Sequence, residues 1–170
     1  CETNPCAYVP KLETDEVGAR PWPVWAYSLI EEHAREDVRR AVLLARYTGQ
    51  RQSDVLRMAP GDVEDGGINV VQQKTGKELW VPLHDDLVGA LEGWSCSPFV
   101  QTPKGEAYNT DRFQAAWTRL MNGTPAGRIR EEGYTFHGLR ASSVEKLREA
   151  GCNAHEIESL MDNEIETHHH

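Results

Sequence analysis

The hydrophobic period changes twice along this chain, and that change limits what the chain can fold into. In "GINVVQQKTGKELWVPL", residues 67–83, apolar and polar positions alternate, with Leu79, Val81 and Leu83 on one face. A period of two on both sides of "KTGK" predicts a β-hairpin with Lys74 and Lys77 at its tip. Elsewhere the period is helical. Val38, Ala41, Val42 and Ala45 recur at core spacing, and Phe113, Ala116, Trp117, Leu120 and Met121 form a stripe ended by Asn122-Gly123. Helices before and after one hairpin predict an α+β chain, mainly α-helical, with a small antiparallel β-sheet.

Boundary residues set the expected elements. Pro23 suits the first turn of a helix over "VWAYSLIEEHA". Asp37 is placed to cap the next helix, Gly49 interrupts it, and "RQSDVLRM" resumes as a short one. "SPFVQT" suggests a further short strand. Val144, Leu147 and Ala150 stripe a helix that Gly151 stops. Asn153 with Glu156 then reads as a capping box, for a helix with Ala154, Ile157, Leu160 and Met161 on its apolar face. Residues 1–22 hold prolines without periodicity and read as a linker or arm; residues 23–167 read as one domain, and His168, His169 and His170 as a purification tag. A first residue Cys1 in place of Met predicts a piece of a longer chain.

With 170 residues the domain can bury a core without disulfides or metal. Cys1, Cys6, Cys96 and Cys152 show no paired spacing and no ligand set nearby, so they read as thiols in a reducing cytoplasm. No apolar run reaches membrane length, and no signal peptide opens the sequence. A net charge of −9 argues against a nucleic-acid partner. The distribution weakens that argument: residues 151–170 hold five acids and no Lys or Arg, whereas residues 101–150 hold eight bases against six acids.

Four cationic groups occupy special local positions. Arg51 follows "YTGQ" where a helix restarts, Lys74 sits on the hairpin tip, and His137 and Arg140 open a helix after "GYTF". Such a set suits a phosphate, because guanidinium forks bind phosphate oxygens in pairs and stay charged at any working pH. Singly, each has an ordinary explanation. Arg51 with Asp54 is an i,i+3 pair on a helix, Lys74 in a polar turn aids solubility, and H-x-x-R arises often by chance.

In their order and spacing they are more specific. "ARYTGQRQSDVLRM", "VVQQKTGKELWVPL" and "YTFHGLRASSVEKLREAG" resemble three successive motifs of the tyrosine recombinase, or phage integrase, catalytic domain. The resemblance runs from about Pro23 to Met161. It implies an integrase-type catalytic domain, mainly helical with a small sheet. Residue by residue, Arg51 matches the first catalytic arginine and Asp54 the acid that holds it in place. Lys74 matches the hairpin lysine, and His137 and Arg140 match the H-x-x-R pair.

The chemistry implied is site-specific DNA recombination through a 3′-phosphotyrosyl intermediate, needing no cofactor, no ATP and no metal. The partners implied are double-stranded DNA and, on synapsed DNA, a homotetramer. No membrane is involved, and the setting is the cytoplasm of a bacterium or phage host. The family's next motif should begin near Leu160. Here "LMDNEIETHHH" puts Asn163 where the family has His or Trp, and no tyrosine follows. The encoded protein is therefore expected to carry His or Trp just after Met161 and a tyrosine within the next dozen or so residues; without that tyrosine the chain should cleave nothing. Two alternatives stand: a non-catalytic DNA-binding module derived from an integrase, and an acidic helical interaction domain.

Overall fold

In a computed structural model, residues 19–161 are described. The notable tail position, Asn163, and the three terminal histidines lie outside the described residues, as does most of the segment read as an arm. The end of that segment is part of the fold. Trp22 is buried, its backbone N–H donating to Ser142 Oγ and its indole N–H to Thr135 O.

Helix α1 spans Val24–His33 and α2 Glu36–Thr48. Pro23 is the extended residue before α1 rather than a member of its first turn. The predicted cap at Asp37 is corrected: Arg35 precedes α2, and Asp37 lies inside its first turn, buried. Its carboxylate has better partners in Arg35 and the Tyr108 hydroxyl, which hold it inward. Val38, Ala41, Val42 and Ala45 are buried as their spacing predicts, with Leu44 beside them. Gly49 ends α2 at φ 65°, and its N–H donates to Ala45 O. That left-handed conformation suits glycine, which has no Cβ to clash.

Short α3 (Gln52–Val55) and a 3-10 turn (Pro60–Asp62) lead into an antiparallel sheet of β1 (Val63–Glu64), β2 (Gly67–Val71) and β3 (Glu78–Pro82), in that order. Ile68 pairs with Val81 and Val70 with Leu79, so all four point into the core while Val71 and Trp80 face outward. The hairpin is as expected. Strand β1, two residues long, is too short for alternation to announce it. Next comes α4 (Asp85–Leu91), where the His84 ring accepts the Asp86 N–H.

"SPFVQT" does not form a strand, which corrects the expectation. Phe99 and Val100 are buried, but Phe99 N–H bonds singly to Met58 O and Gln101 makes an isolated bridge to Ala107. Burial gave this run its apolar character without a neighbouring strand to ladder against. Asn109 caps α5 (Thr110–Gly123) by accepting the Arg112 N–H, and every residue of the predicted stripe on α5 is buried. Short α6 (Gly127–Glu131) fills what reads as loop in the sequence.

Helix α7 (Gly138–Glu149) departs from its predicted face. Val144 and Leu147 are half-buried and Ala150 exposed, whereas Leu139, Arg140, Ser142 and Ser143 are buried. The small serines let α7 approach α2 closely, and the Ser143 hydroxyl reaches the Ala45 and Arg46 carbonyls. Finally α8 (Ala154–Met161) opens with the expected reciprocal cap: Asn153 N–H to Glu156 Oε2, 2.7 Å, and Glu156 N–H to Asn153 Oδ1, 3.0 Å. Ile157 and Met161 are buried, Leu160 is half-buried and Ala154 exposed.

Candidate active site

Two chain breaks create the site. The first follows Gly49, where Gln50 and the extended Arg51 lead from the end of α2 to the start of α3. The second precedes α7, where His137 is the last residue before the helix and Arg140 lies in its first turn. Because α7 packs on α2, the two breaks lie together. Arg140 Nη1 donates to Gly49 O at 2.8 Å, across 91 residues of sequence.

His137 shows that the three groups share one neighbourhood. His137 is an exposed residue with part of its imidazole covered. Partial burial pushes its pKa below the usual 6.5, and the positive charges of Arg140 and then Arg51 push it the same way. At neutral pH His137 is therefore uncharged and able to accept a proton beside two permanent cations. Beside it, a cleft of about 590 Å³ is lined by Arg20, His137, Arg140 and Arg148 among others. Arg20 stacks on the Tyr134 ring at 4.4 Å. The motif comparison assigns no role to Arg20 or Arg148; the fold brings them to the cleft.

Lys74 is exposed on the β2–β3 turn. That turn is tied to Arg51 through Gln72, whose Oε1 accepts from Arg51 Nη1 at 3.2 Å and from Thr75 Oγ1 at 2.8 Å. Asp54 is bonded to Arg57 and to the turn. Its Oδ1 accepts from Arg57 Nη2 at 3.3 Å and from the Gln73 N–H at 2.8 Å, while buried Oδ2 meets no hydrogen-bond donor among the described residues. Asp54 thus anchors Arg57 and the start of the turn, and Gln72 accepts from the Arg51 guanidinium.

The described tyrosines are engaged elsewhere. Tyr27 packs on Trp22 and beneath Arg46, Tyr47 donates to Asp86, Tyr108 donates to Asp37, and Tyr134 meets Trp25 edge to face and lies under Arg20. Among the described residues, no group of three or more His, Cys, Asp or Glu is placed to hold a metal, and no helix is long and apolar enough to cross a membrane.

A cluster of two arginines and a neutral histidine, with a lysine hairpin tied to it, is matched by a family model. Residues 27–167 fit the description "Phage integrase family". The chain belongs to the phage integrase family. It is 46% identical over 143 residues to the prophage integrase IntE of Escherichia coli (strain K12), covering 69% of this chain and 36% of that protein. The integrase of Escherichia phage HK022 is 37% identical over 143 residues, covering 76% of this chain and 36% of the relative. This chain therefore spans about a third of those relatives' length.

Solved integrases share the fold. The lambda integrase catalytic core superposes with a TM-score of 0.63 at 25% identity, covering 85% of this chain and 91% of that one. A lambda integrase dimer bound to a COC′ core site gives 0.69 at 25% identity, covering 88% and 46%. The fold is thus an integrase catalytic domain, as the motif resemblance implies, and it is mainly α-helical with a small antiparallel sheet, as the periodicity predicts.

Proposed function

We propose that this chain is the catalytic domain of a site-specific recombinase that cleaves and rejoins double-stranded DNA. The observation that carries it is the bond from Arg140 Nη1 to Gly49 O, which sets the His137–Arg140 helix start against the loop that bears Arg51. In this reading a tyrosine from the full-length protein attacks the scissile phosphorus. The O5′–P bond breaks as a 3′-phosphotyrosyl bond forms, so the energy of the phosphodiester is kept for rejoining. Arg51 and Arg140 stabilise charge growing on the non-bridging oxygens. His137 accepts the proton that the tyrosine releases, and Lys74 gives one to the departing 5′ oxygen. Asp54 and Gln72 hold the turn and Arg51 in place.

DNA as partner agrees with the local charge in spite of the acidic total. Arg20, Arg140 and Arg148 line one cleft, and several of the acids lie in residues 151–170. The lambda integrase dimer on a core site supports assembly on DNA, here as a tetramer at the synapse, and the phage and prophage relatives fit a cytoplasmic setting.

The test is to incubate the full-length protein with a nicked suicide duplex and look for a covalent protein–DNA adduct. An adduct that Arg51→Ala and Arg140→Ala abolish supports the reading. Salt-sensitive DNA binding without any adduct would instead identify a non-catalytic DNA-binding module. Absence of DNA binding at both low and moderate salt would leave an interaction domain.

A further inference from the structure

Two glutamines that no motif role uses connect three parts of the site. Gln50 and Gln72 are both essentially fully buried, and a buried carboxamide is costly unless its donors and acceptor are all satisfied. Here they are. Gln72 Oε1 accepts from Arg51 Nη1 and Thr75 Oγ1, and Gln72 Nε2 donates to Gln50 Oε1 at 3.0 Å. Gln50 Nε2 then donates to Thr48 O at 3.1 Å and to Leu160 O, in α8, at 3.0 Å.

The polarity of this chain of bonds is fixed at one end. A guanidinium can only donate, so the Gln72 oxygen must face Arg51 and its NH2 must face Gln50. That forces the Gln50 oxygen toward Gln72 and its NH2 toward the two carbonyls. Reversing either amide would set donor against donor or acceptor against acceptor. The backbone of Gln72 adds two bonds that shape the Lys74 turn: its N–H to Lys77 O at 2.9 Å, and its carbonyl accepting the Gly76 N–H at 2.8 Å.

We propose that Gln50 and Gln72 are positioning residues, a two-amide relay that couples the seating of α8 to the placement of Arg51 and of the Lys74 turn. The inference rests on the recombinase reading for its functional consequence, but not for the coupling itself. Neither side chain touches the reacting atoms. Their effect is that the arginine and the lysine turn are held in register with α8.

The coupling is read by hydrogen exchange on this chain. Gln50→Met keeps length and apolar packing but removes every bond of the relay made by Gln50. Although Gln50 contacts the turn only through Gln72, exchange at the Gly76 amide should quicken on the order of tenfold, together with the amides of α8. Gln72→Glu supplies a directional control. Its carboxylate keeps the bonds from Arg51 and Thr75 but cannot donate to Gln50, so α8 amides should quicken while Gly76 stays protected. A general loss of stability would move both regions together in both variants. Faster exchange confined to α8 in Gln50→Met, with Gly76 unchanged, would overturn the relay.

In the full-length protein, Gln50→Met should slow cleavage at saturating DNA while leaving the DNA concentration for half-saturation within about twofold. A substrate with a 5′-bridging phosphorothiolate, whose thiolate leaves without a proton, should recover part of the rate, because part of the defect is a misplaced Lys74. A wild-type protein that forms no adduct would overturn the recombinase reading, and the exchange experiment would still decide the relay. An active wild type whose Gln50→Met variant cleaves normally would overturn the positioning role.

Discussion

Arg140 donates to the carbonyl of Gly49, two residues ahead of Arg51, at 2.8 Å. One site arginine thereby fixes the loop that carries the other. Arg140 is 5% exposed, so its charge is carried almost wholly by such contacts, and its loss cannot be local.

Arg51→Ala should remove one phosphate contact and reduce the slope of log affinity against log salt by about 1. Arg140→Ala should reduce it by about 2, because Arg51 loses its seat as well. Adding Arg51→Ala to Arg140→Ala should then change little, a non-additivity expected of residues that act through one another. DNA titrations across a salt series check this; simple additivity would mean that the Gly49 loop holds its place without Arg140.

His137 gives a signed pH prediction. Its folded pKa lies below 6.5, so between the folded and unfolded values the unfolded chain binds more protons. Stability therefore rises with pH through that window and is lost as pH falls below about 6.5. His137→Gln should be more stable than wild type at pH 5 and no different at pH 8, in denaturant melts at each pH. Inorganic phosphate or a short duplex, placed between the arginines, should move the imidazole titration upward in an NMR experiment. A titration indifferent to both ligands would remove His137 from the anion site.

Much of this was legible in the sequence where one periodicity dominated a whole element. The α5 stripe and the β2–β3 alternation needed only their own residues, and the Asn153–Glu156 cap only its four-residue spacing. What the sequence hid was set by distant partners. Asp37 reads as a cap until Tyr108, 71 residues on, supplies a better bond. The buried face of α7 is polar because α2 comes close enough for Ser143 to bond its carbonyls. The motif residues were found by resemblance, whereas Gln50, Gln72, Arg20 and Arg148 required the fold.

The Asp37–Tyr108 contact should limit stability at both ends of the pH scale. Burial alone would raise the Asp37 pKa, but hydrogen bonds from Arg35 and Tyr108 outweigh it and hold the carboxyl below 3.8. Its contribution is present above that value and lost as pH falls through the folded pKa. Burial, and then the bond to Asp37, pushes Tyr108 up to about 12 from 10.0. Its contribution is present below pH 10 and lost as pH rises toward 12. Tyr108→Phe should cost about 1–3 kcal/mol at neutral pH, by leaving a buried carboxylate short of a donor, and should flatten the alkaline limb. Thermal melts between pH 7 and 11 test both parts.

Gly49 and Gly66 separate backbone strain from crowding. Both have positive φ, +65° and +76°, but a Cβ on Gly49 would lie 2.2 Å from Met161 Cε and 3.1 Å from Ser143 Cβ, whereas nothing lies near one on Gly66. Gly66→Ala should therefore cost about 1–2 kcal/mol from left-handed strain alone. Gly49→Ala should cost more and also push the end of α8 outward. Urea melts of the pair measure the difference; equal losses would mean that Met161 moves aside freely.

The hairpin offers two lysines, and the geometry separates them. Lys74 lies within the turn that Gln72 and Thr75 tie to Arg51, while Lys77 begins the return toward β3, its carbonyl taken by the Gln72 N–H. A general acid must reach the departing oxygen without disturbing the strand behind it, which favours the side chain at the tip. In the full-length protein Lys74→Ala should slow cleavage on the order of a hundredfold or more, with DNA affinity nearly unchanged. Lys77→Ala should alter the rate only a few-fold. A 5′-bridging phosphorothiolate should restore the Lys74→Ala rate, since a thiolate departs without needing a proton, and should do nothing for Arg51→Ala, whose defect lies in charge on the non-bridging oxygens. Rescue of Lys77→Ala, with Lys74→Ala unimpaired on ordinary DNA, would transfer the role to the other lysine.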